Sequence, residues 1–226
     1  MYLLSSASWL TNTGWDWFKE ENLPRLLLIR HGETGLNSSE RYWGSTDVDL
    51  SAAGLWQAGK LRDRLAKENI HSIYSSDLKR AIVTAKTIAT LHKREVTACA
   101  ELREIDFGRL EGLTFSQVNE RYPDIVQLWL EQSPKLAFPG GESISQFEER
   151  ITSFSRRLQK LSGDETILVV AHSGALRTLI CQLLGTEPRQ RWQIRLDLAS
   201  LTIVETYPQG AILTLLNDVS HLAGGG

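Results

Sequence analysis

Two uninterrupted apolar runs, "RLLLIR" at 25–30 and "TILVVA" at 166–171, constrain this chain more than any other feature. A strand with one face in water alternates polar and apolar residues, so strands without that alternation must be covered on both faces. Each run also stops abruptly at a histidine: His31, preceded by Arg30 and followed by glycine, and His172, followed by Ser173 and a helix-period segment. An ordinary strand has no need of a guanidinium and an imidazole at its end. The rest of the chain alternates in the same way. Helical spacing predicts a helix over 51–69, then a strand over 70–75. A second helix is expected over 77–93, with Ser76 as N-cap and Leu78, Ile82 and Ala85 facing the core. A short strand near 95–99 leads into an irregular segment, then helical stretches around 115–131 and 143–161. The segment "GALRTLICQLLG" follows the second apolar run as a helix, and the last part reads as two strands joined through Pro208 and Gly210. Such alternation predicts an α/β fold: a mostly parallel central sheet with helices on both faces.

In open α/β sheets ligands bind beyond the carboxyl ends of the strands, where the strand order reverses. Arg30, His31 and His172 all stand at such ends, so two distant strands can bring two histidines to one place.

The 226 residues suffice for one substantial core, and no linker-like composition break divides them. Lys and Arg total 25 against 27 Asp and Glu, a net charge of −2, so no global field draws nucleic acid or an anionic membrane; neither is an expected partner. Any anion must be held by local arrangement. Cys99 and Cys181 lack CxxC spacing and read as reduced thiols of a cytoplasmic protein. No apolar run reaches spanning length. Residues 1–24 lack the basic start of a secretory signal and carry three of the seven tryptophans, Trp9, Trp15 and Trp17. This aromatic extension is expected to pack over the core, with self-association into a homodimer as the alternative. The domain proper is expected over 25–217, and 218–226 as a frayed tail.

Four segments carry the chemistry: "RHGETGLN" (30–37), "YSSDLKRAIVTA" (74–85), "LREIDFGRLEG" (102–112) and "VVAHSGALR" (169–177). Together, in this order and spacing, they resemble the histidine phosphatase superfamily, also called phosphoglycerate mutase-like, from Arg25 to about Asn217. The resemblance implies a three-layer α/β/α domain that removes phosphoryl groups without a metal or other cofactor, through a phosphohistidine. It makes His31 the nucleophile, Glu104 the general acid, and His172 a donor to the phosphoryl oxygens. Arg30 and Arg80 are implied as the guanidinium forks that grip phosphate, with Thr34, Asn37 and Ser173 as further phosphate contacts. The residues fit those roles on their own terms. Guanidinium geometry matches phosphate oxygens, and neighbouring cations keep an imidazole neutral and therefore nucleophilic. Glu101, Asp106 and Glu111 lie close enough in sequence to Glu104 to compete with it for the acid role.

Within the resemblance, mutases carry a long insertion between the motifs that here are Glu111–Gly112 and Gly141–Glu142–Ser143. Roughly thirty residues separate them. That compactness favours hydrolysis over a cofactor-dependent phosphoglycerate mutase. "LREIDFGRLEGLT" with "FPGGES" looks most like the α-ribazole phosphatases, close to the broad-specificity branch, so a small phosphate ester such as α-ribazole 5′-phosphate is the expected substrate. A phosphoprotein phosphatase or a binding module of the same fold is the alternative from another class.

Overall fold

The computed structural model describes residues 23–36, 40–161, 163 and 165–223. The aromatic extension up to residue 22 and Asn37 lie outside them. Six strands form one sheet: β1 (Arg25–Arg30), β2 (Ile70–Ser75), β3 (Val96–Ala98), β4 (Thr166–Ala171), β5 (Leu201–Tyr207) and β6 (Gly210–Asp218), in the order β3-β2-β4-β1-β5-β6. The first four run parallel, and β5 and β6 are antiparallel at one edge. The sequence-based expectation of a mostly parallel sheet is met.

The two apolar runs lie side by side, paired from Arg25↔Thr166 to Arg30↔Ala171. Their side chains alternate between two cores. Leu26, Leu28, Ile167, Val169 and Ala171 face helices α5 (Ile144–Leu158) and α6 (Ser173–Leu183), while Leu27, Ile29, Leu168 and Val170 face α1 (Ala52–Leu65) and α2 (Lys79–Ala89). Both faces of β1 and β4 are thus dry, which is why neither run alternates. Each such Leu or Ile contributes on the order of 2 kcal/mol of burial. α5 shows the matching helical spacing: Phe147, Ile151, Phe154 and Leu158 are buried, and Ser143 caps it reciprocally with Gln146.

Three local expectations differ from the structure. Ser76 is not at the cap position of α2, which is Leu78; its hydroxyl accepts from the Leu78 amide at 3.3 Å and from His172 Nε2 at 2.8 Å. Of the residues expected to face the core, Leu78 and Ala85 are buried and Ile82 is only half-buried; the buried stripe of α2 itself is Arg80, Ala81, Thr84, Ala85, Ile88 and Ala89. The helical stretch at 115–131 is two helices, α3 (Phe115–Arg121) and α4 (Pro123–Leu130), since Pro123 lacks the N–H that would continue α3. At the chain's end, Asp218 closes β6, and the His221 ring bonds the Ala199 carbonyl from a 3₁₀ turn.

The loop leaving β1 lies backbone against backbone on the start of α1. A Cβ on Gly54 would stand 2.0 Å from the Glu33 carbonyl oxygen, and one on Gly32 would stand 2.7 Å from that of Gly54. Gly54→Ala should therefore destabilise the protein by about 2 kcal/mol, with the loss read from urea unfolding; a change within about 0.5 kcal/mol would mean the loop shifts freely.

Candidate active site

Because β1 and β4 are neighbours in parallel register, the residues after them meet. The His31 amide donates to the Ala171 carbonyl at 3.0 Å, and the rings of His31 and His172 stand 5.0 Å apart edge to face. Both are buried. His31 Nδ1 lies 2.7 Å from its neighbour's carbonyl, that of Gly32, which can only accept; the proton is therefore on Nδ1, and Nε2 keeps a free lone pair. His172 has the opposite tautomer. Arg80 Nε donates to its Nδ1 at 3.2 Å, so Nε2 carries the hydrogen and donates to the Ser76 hydroxyl at 2.8 Å. Burial, reinforced by the charges of Arg80 and Arg30, pushes both imidazoles well below their ordinary pKa; for His172 the facing His31 adds to this.

The guanidinium groups are aimed by backbone. Arg80 donates to the carbonyls of Thr46 and Gly44, each at 2.7 Å, and Arg30 donates to that of Leu196 at 2.6 Å. Arg30 Nε is buried and has no hydrogen-bond partner among the described residues. Burial lowers the pKa of both, and of Arg177, whose side chain comes from α6 one turn beyond Ser173. Three cations thus face a single shared carboxylate, that of Glu104, whose charge opposes the shift in each.

Glu104 is seated on the N-terminus of α6. The Gly174 amide donates to Oε2 at 2.9 Å and the Ile105 amide to Oε1 at 3.1 Å. A Cβ on Gly174 would lie 2.3 Å from Oε1, so only glycine permits this approach. The backbone around Glu104 is pinned by Arg150, which donates to the carbonyls of Glu101, Arg103 and Glu104 while its other face pairs with Glu142. The three competing carboxylates are engaged elsewhere. Glu101 pairs with Arg157; Asp106 accepts from Ser45 Oγ and the Gly108 amide; Glu111 accepts from the amides and hydroxyls of both Ser45 and Thr46. Glu111 thereby clamps the loop whose carbonyls aim Arg80, a positioning task that its place in sequence did not disclose.

Of the other expected residues, Ser173 begins α6 and lines a cavity beside Glu104. Thr34 is buried where the first loop bridges to Leu50, and Asn37 is outside the described residues. Sequence reasoning assigned Ser76 only a capping role and no site role to Arg150 or the Arg177 guanidinium, although the spacing of Ser173 and Arg177, four apart on a helix, places them on one face. Among the described residues no group of three or more His, Cys, Asp or Glu is arranged to hold a metal, and no helix is long and apolar enough to cross a membrane.

Neutral buried histidines bind fewer protons when folded than when unfolded. Below the ordinary imidazole pKa of about 6.5, stability should fall as pH falls, by up to about 1.4 kcal/mol per pH unit for each ring, until the depressed folded pKa is reached. Urea unfolding at a series of pH values should show this slope, reduced in both His31→Gln and His172→Gln; an unchanged slope would mean the rings are already charged.

Comparison with known proteins agrees with the arrangement. The family model of the histidine phosphatase superfamily (branch 1) matches residues 26–219. Phosphoserine phosphatase 1 of Hydrogenobacter thermophilus is 35% identical over 198 residues, covering 88% of this chain and 94% of that one. The adenosylcobalamin/alpha-ribazole phosphatase of Escherichia coli is 30% identical over 194 residues, covering 86% and 96%. The crystal structure of the alpha-ribazole phosphatase from Shigella flexneri superposes with a TM-score of 0.78 at 29% identity, covering 86% of this chain and 96% of that one. With a family model spanning most of its length and paired histidines at the ends of adjacent parallel strands, the chain belongs to the histidine phosphatase superfamily.

Proposed function

We propose that this protein is a metal-independent phosphomonoesterase that works through a phosphohistidine on His31 and acts on a small-molecule ester. The observation that carries the reading is the pair of buried, neutral imidazoles 5.0 Å apart among three arginines and one carboxylate. His31 Nε2, left free by the hydrogen bond at Nδ1, attacks phosphorus; the P–O ester bond breaks, and the alkoxide takes the proton that Glu104, a carboxylate in the free site, takes up from solvent when the phosphate dianion binds beside it. Arg30, Arg80 and Arg177 supply the positive charge that a divalent ion would otherwise bring to the phosphoryl oxygens. His172 is neutral in the free site. A dianion beside it favours the imidazolium, so Nδ1 takes up a proton from solvent as the substrate binds and donates to a phosphoryl oxygen while Arg80 Nε turns to the phosphate. In the second step Glu104, now a carboxylate, removes a proton from the water that attacks the phosphohistidine, and His31 is restored.

The relatives support a phosphatase in general terms, and their names divide over the substrate. We assign α-ribazole 5′-phosphate first, on the segments "LREIDFGRLEGLT" and "FPGGES"; phosphoserine is the second reading, carried by the Hydrogenobacter relative. The short segment between Gly112 and Gly141, which holds only α3 and α4, weighs against a mutase.

Wild-type protein quenched during turnover should carry an acid-labile, base-stable phosphoryl group, with and without EDTA, and His31→Ala should fold yet show neither phosphoenzyme nor turnover. Substantial activity in folded His31→Ala, or a loss in chelator that metal restores, would contradict the mechanism. Glu104→Gln should release a burst of nitrophenol from p-nitrophenyl phosphate, whose leaving group needs no proton, and then stall, while an alkyl ester is scarcely cleaved. Equal loss on both esters with no burst would remove Glu104 from the acid role.

A further inference from the structure

Immediately beyond Glu104 lies a cavity of about 210 Å³ whose inner wall is Glu104, Ser173, Gly174 and Arg177. The general acid touches the leaving-group oxygen, so whatever the alcohol carries must extend into this space. The remaining walls are mostly rings, together with Ile105 and Ile144. Trp129 of α4 stands 5.0 Å from Tyr42, 5.7 Å from Phe107 in a near-parallel stack and 5.4 Å from Phe138, and Trp192 closes the rim 6.4 Å away. These five aromatics come from five separate segments of the chain, none adjacent in sequence. Trp192 remains 45% exposed, although a ring of that size gains by burial.

The cavity's charges are nearly all committed. Arg191 is paired with Glu148 at 2.5 Å, and Glu104 is seated on the Gly174 and Ile105 amides. Arg177 is the remaining cation, its Nε buried without a hydrogen-bond partner. An amino-acid leaving group could place its carboxylate on Arg177, but its ammonium would then stand beside that cation and against the rings, at a desolvation cost. A flat apolar group would displace poorly bonded water from the rings and pack against Trp129 and Trp192.

We infer that this cavity is a leaving-group subsite selecting phosphate esters whose alcohol carries an aromatic or similarly flat apolar body, with Trp129 and Trp192 as its specificity-determining walls. The inference rests on the phosphatase reading and narrows its substrate class. It separates this chain from an enzyme devoted to phosphoserine, whatever the overall similarity.

The test compares kcat/KM for three alkyl phosphates, so that aryl leaving-group effects do not enter: ethyl phosphate, phenethyl phosphate and O-phospho-L-serine. Phenethyl phosphate should exceed both others by at least about tenfold, as a buried stacked ring does. In Trp192→Ala that preference over ethyl phosphate should shrink at least about fivefold, and Trp192→Phe should restore most of it, which a merely structural change at this exposed ring would not do. Trp129→Ala should act in the same direction where circular dichroism shows it folded. Equal rates on ethyl and phenethyl phosphate, or a preference that survives Trp192→Ala, would overturn the subsite. Preference for phosphoserine would also overturn it and would give Arg177 to a carboxylate. Loss of all three activities together with absence of a phosphoenzyme would reject the phosphatase reading itself, an outcome distinct from failure of selectivity.

Discussion

The parallel pairing of β1 with β4 is the constraint on which the rest of the molecule depends. With Arg30 opposite Ala171, the next residue on one strand and the next on the other are both histidines. A slip of one residue would turn each run's apolar side chains to the other face and carry the imidazoles apart. The cores on the two faces hold that register, since Leu26 and Leu28 pack with α5 and α6 while Leu27 and Ile29 pack with α1 and α2. Burial of the aliphatic side chains of β1 and β4 on both faces is therefore what sets a 5.0 Å ring separation at the sheet's end. The helices add their own devices. α6 offers its N-terminal amide to Glu104, and α2 presents Arg80 from its first turn, with Thr84 of the same helix accepting from the Gly32 amide.

Electrostatics then decides what the two histidines are. Three guanidinium groups and two imidazoles in one half-buried site would repel one another if all were charged, and burial resolves the conflict at the weakest base. The imidazoles give up their protons; the arginines, whose unperturbed pKa is far higher, do not. The result is a pair of uncharged imidazoles inside a positive field, an arrangement that on the proposed reading suits attack on a phosphate dianion. Much of the surrounding hydrogen bonding serves to aim these groups: Glu111 holds the loop that aims Arg80, Arg150 holds the segment that carries Glu104, and Ser76 holds His172.

The parts legible in the sequence were those in which one segment carries its own constraint. Unalternated "LLLI" and "ILVV" runs required a sheet covered on both faces, and a histidine directly after each placed the chemistry at the strand ends. Contacts between distant segments were less legible. Ser76 resembles an N-cap in sequence, and its hydroxyl does accept from the Leu78 amide, but its contact with His172 depends on β4 delivering that ring beside it. Glu111 read as a rival acid because its partners, Ser45 and Thr46, lie in a loop some sixty-five residues earlier. The break at Pro123 was written in a single residue and was passed over inside a longer helical pattern. The aromatic cavity could not have been read from spacing, since Tyr42, Phe107, Trp129, Phe138 and Trp192 share no period.

The central claim is that both buried imidazoles are neutral in the free protein, with opposite tautomers, and that His31 offers Nε2. Long-range nitrogen–proton correlation spectra of protein labelled with ¹⁵N-histidine measure this directly. Just below the ordinary imidazole pKa of about 6.5, the account predicts two neutral patterns, with the hydrogen on Nδ1 of His31 and on Nε2 of His172, and the phosphorylated protein should carry its phosphoryl group on Nε2 of His31. An imidazolium pattern for His31 at that pH, or its hydrogen on Nε2, would contradict the account.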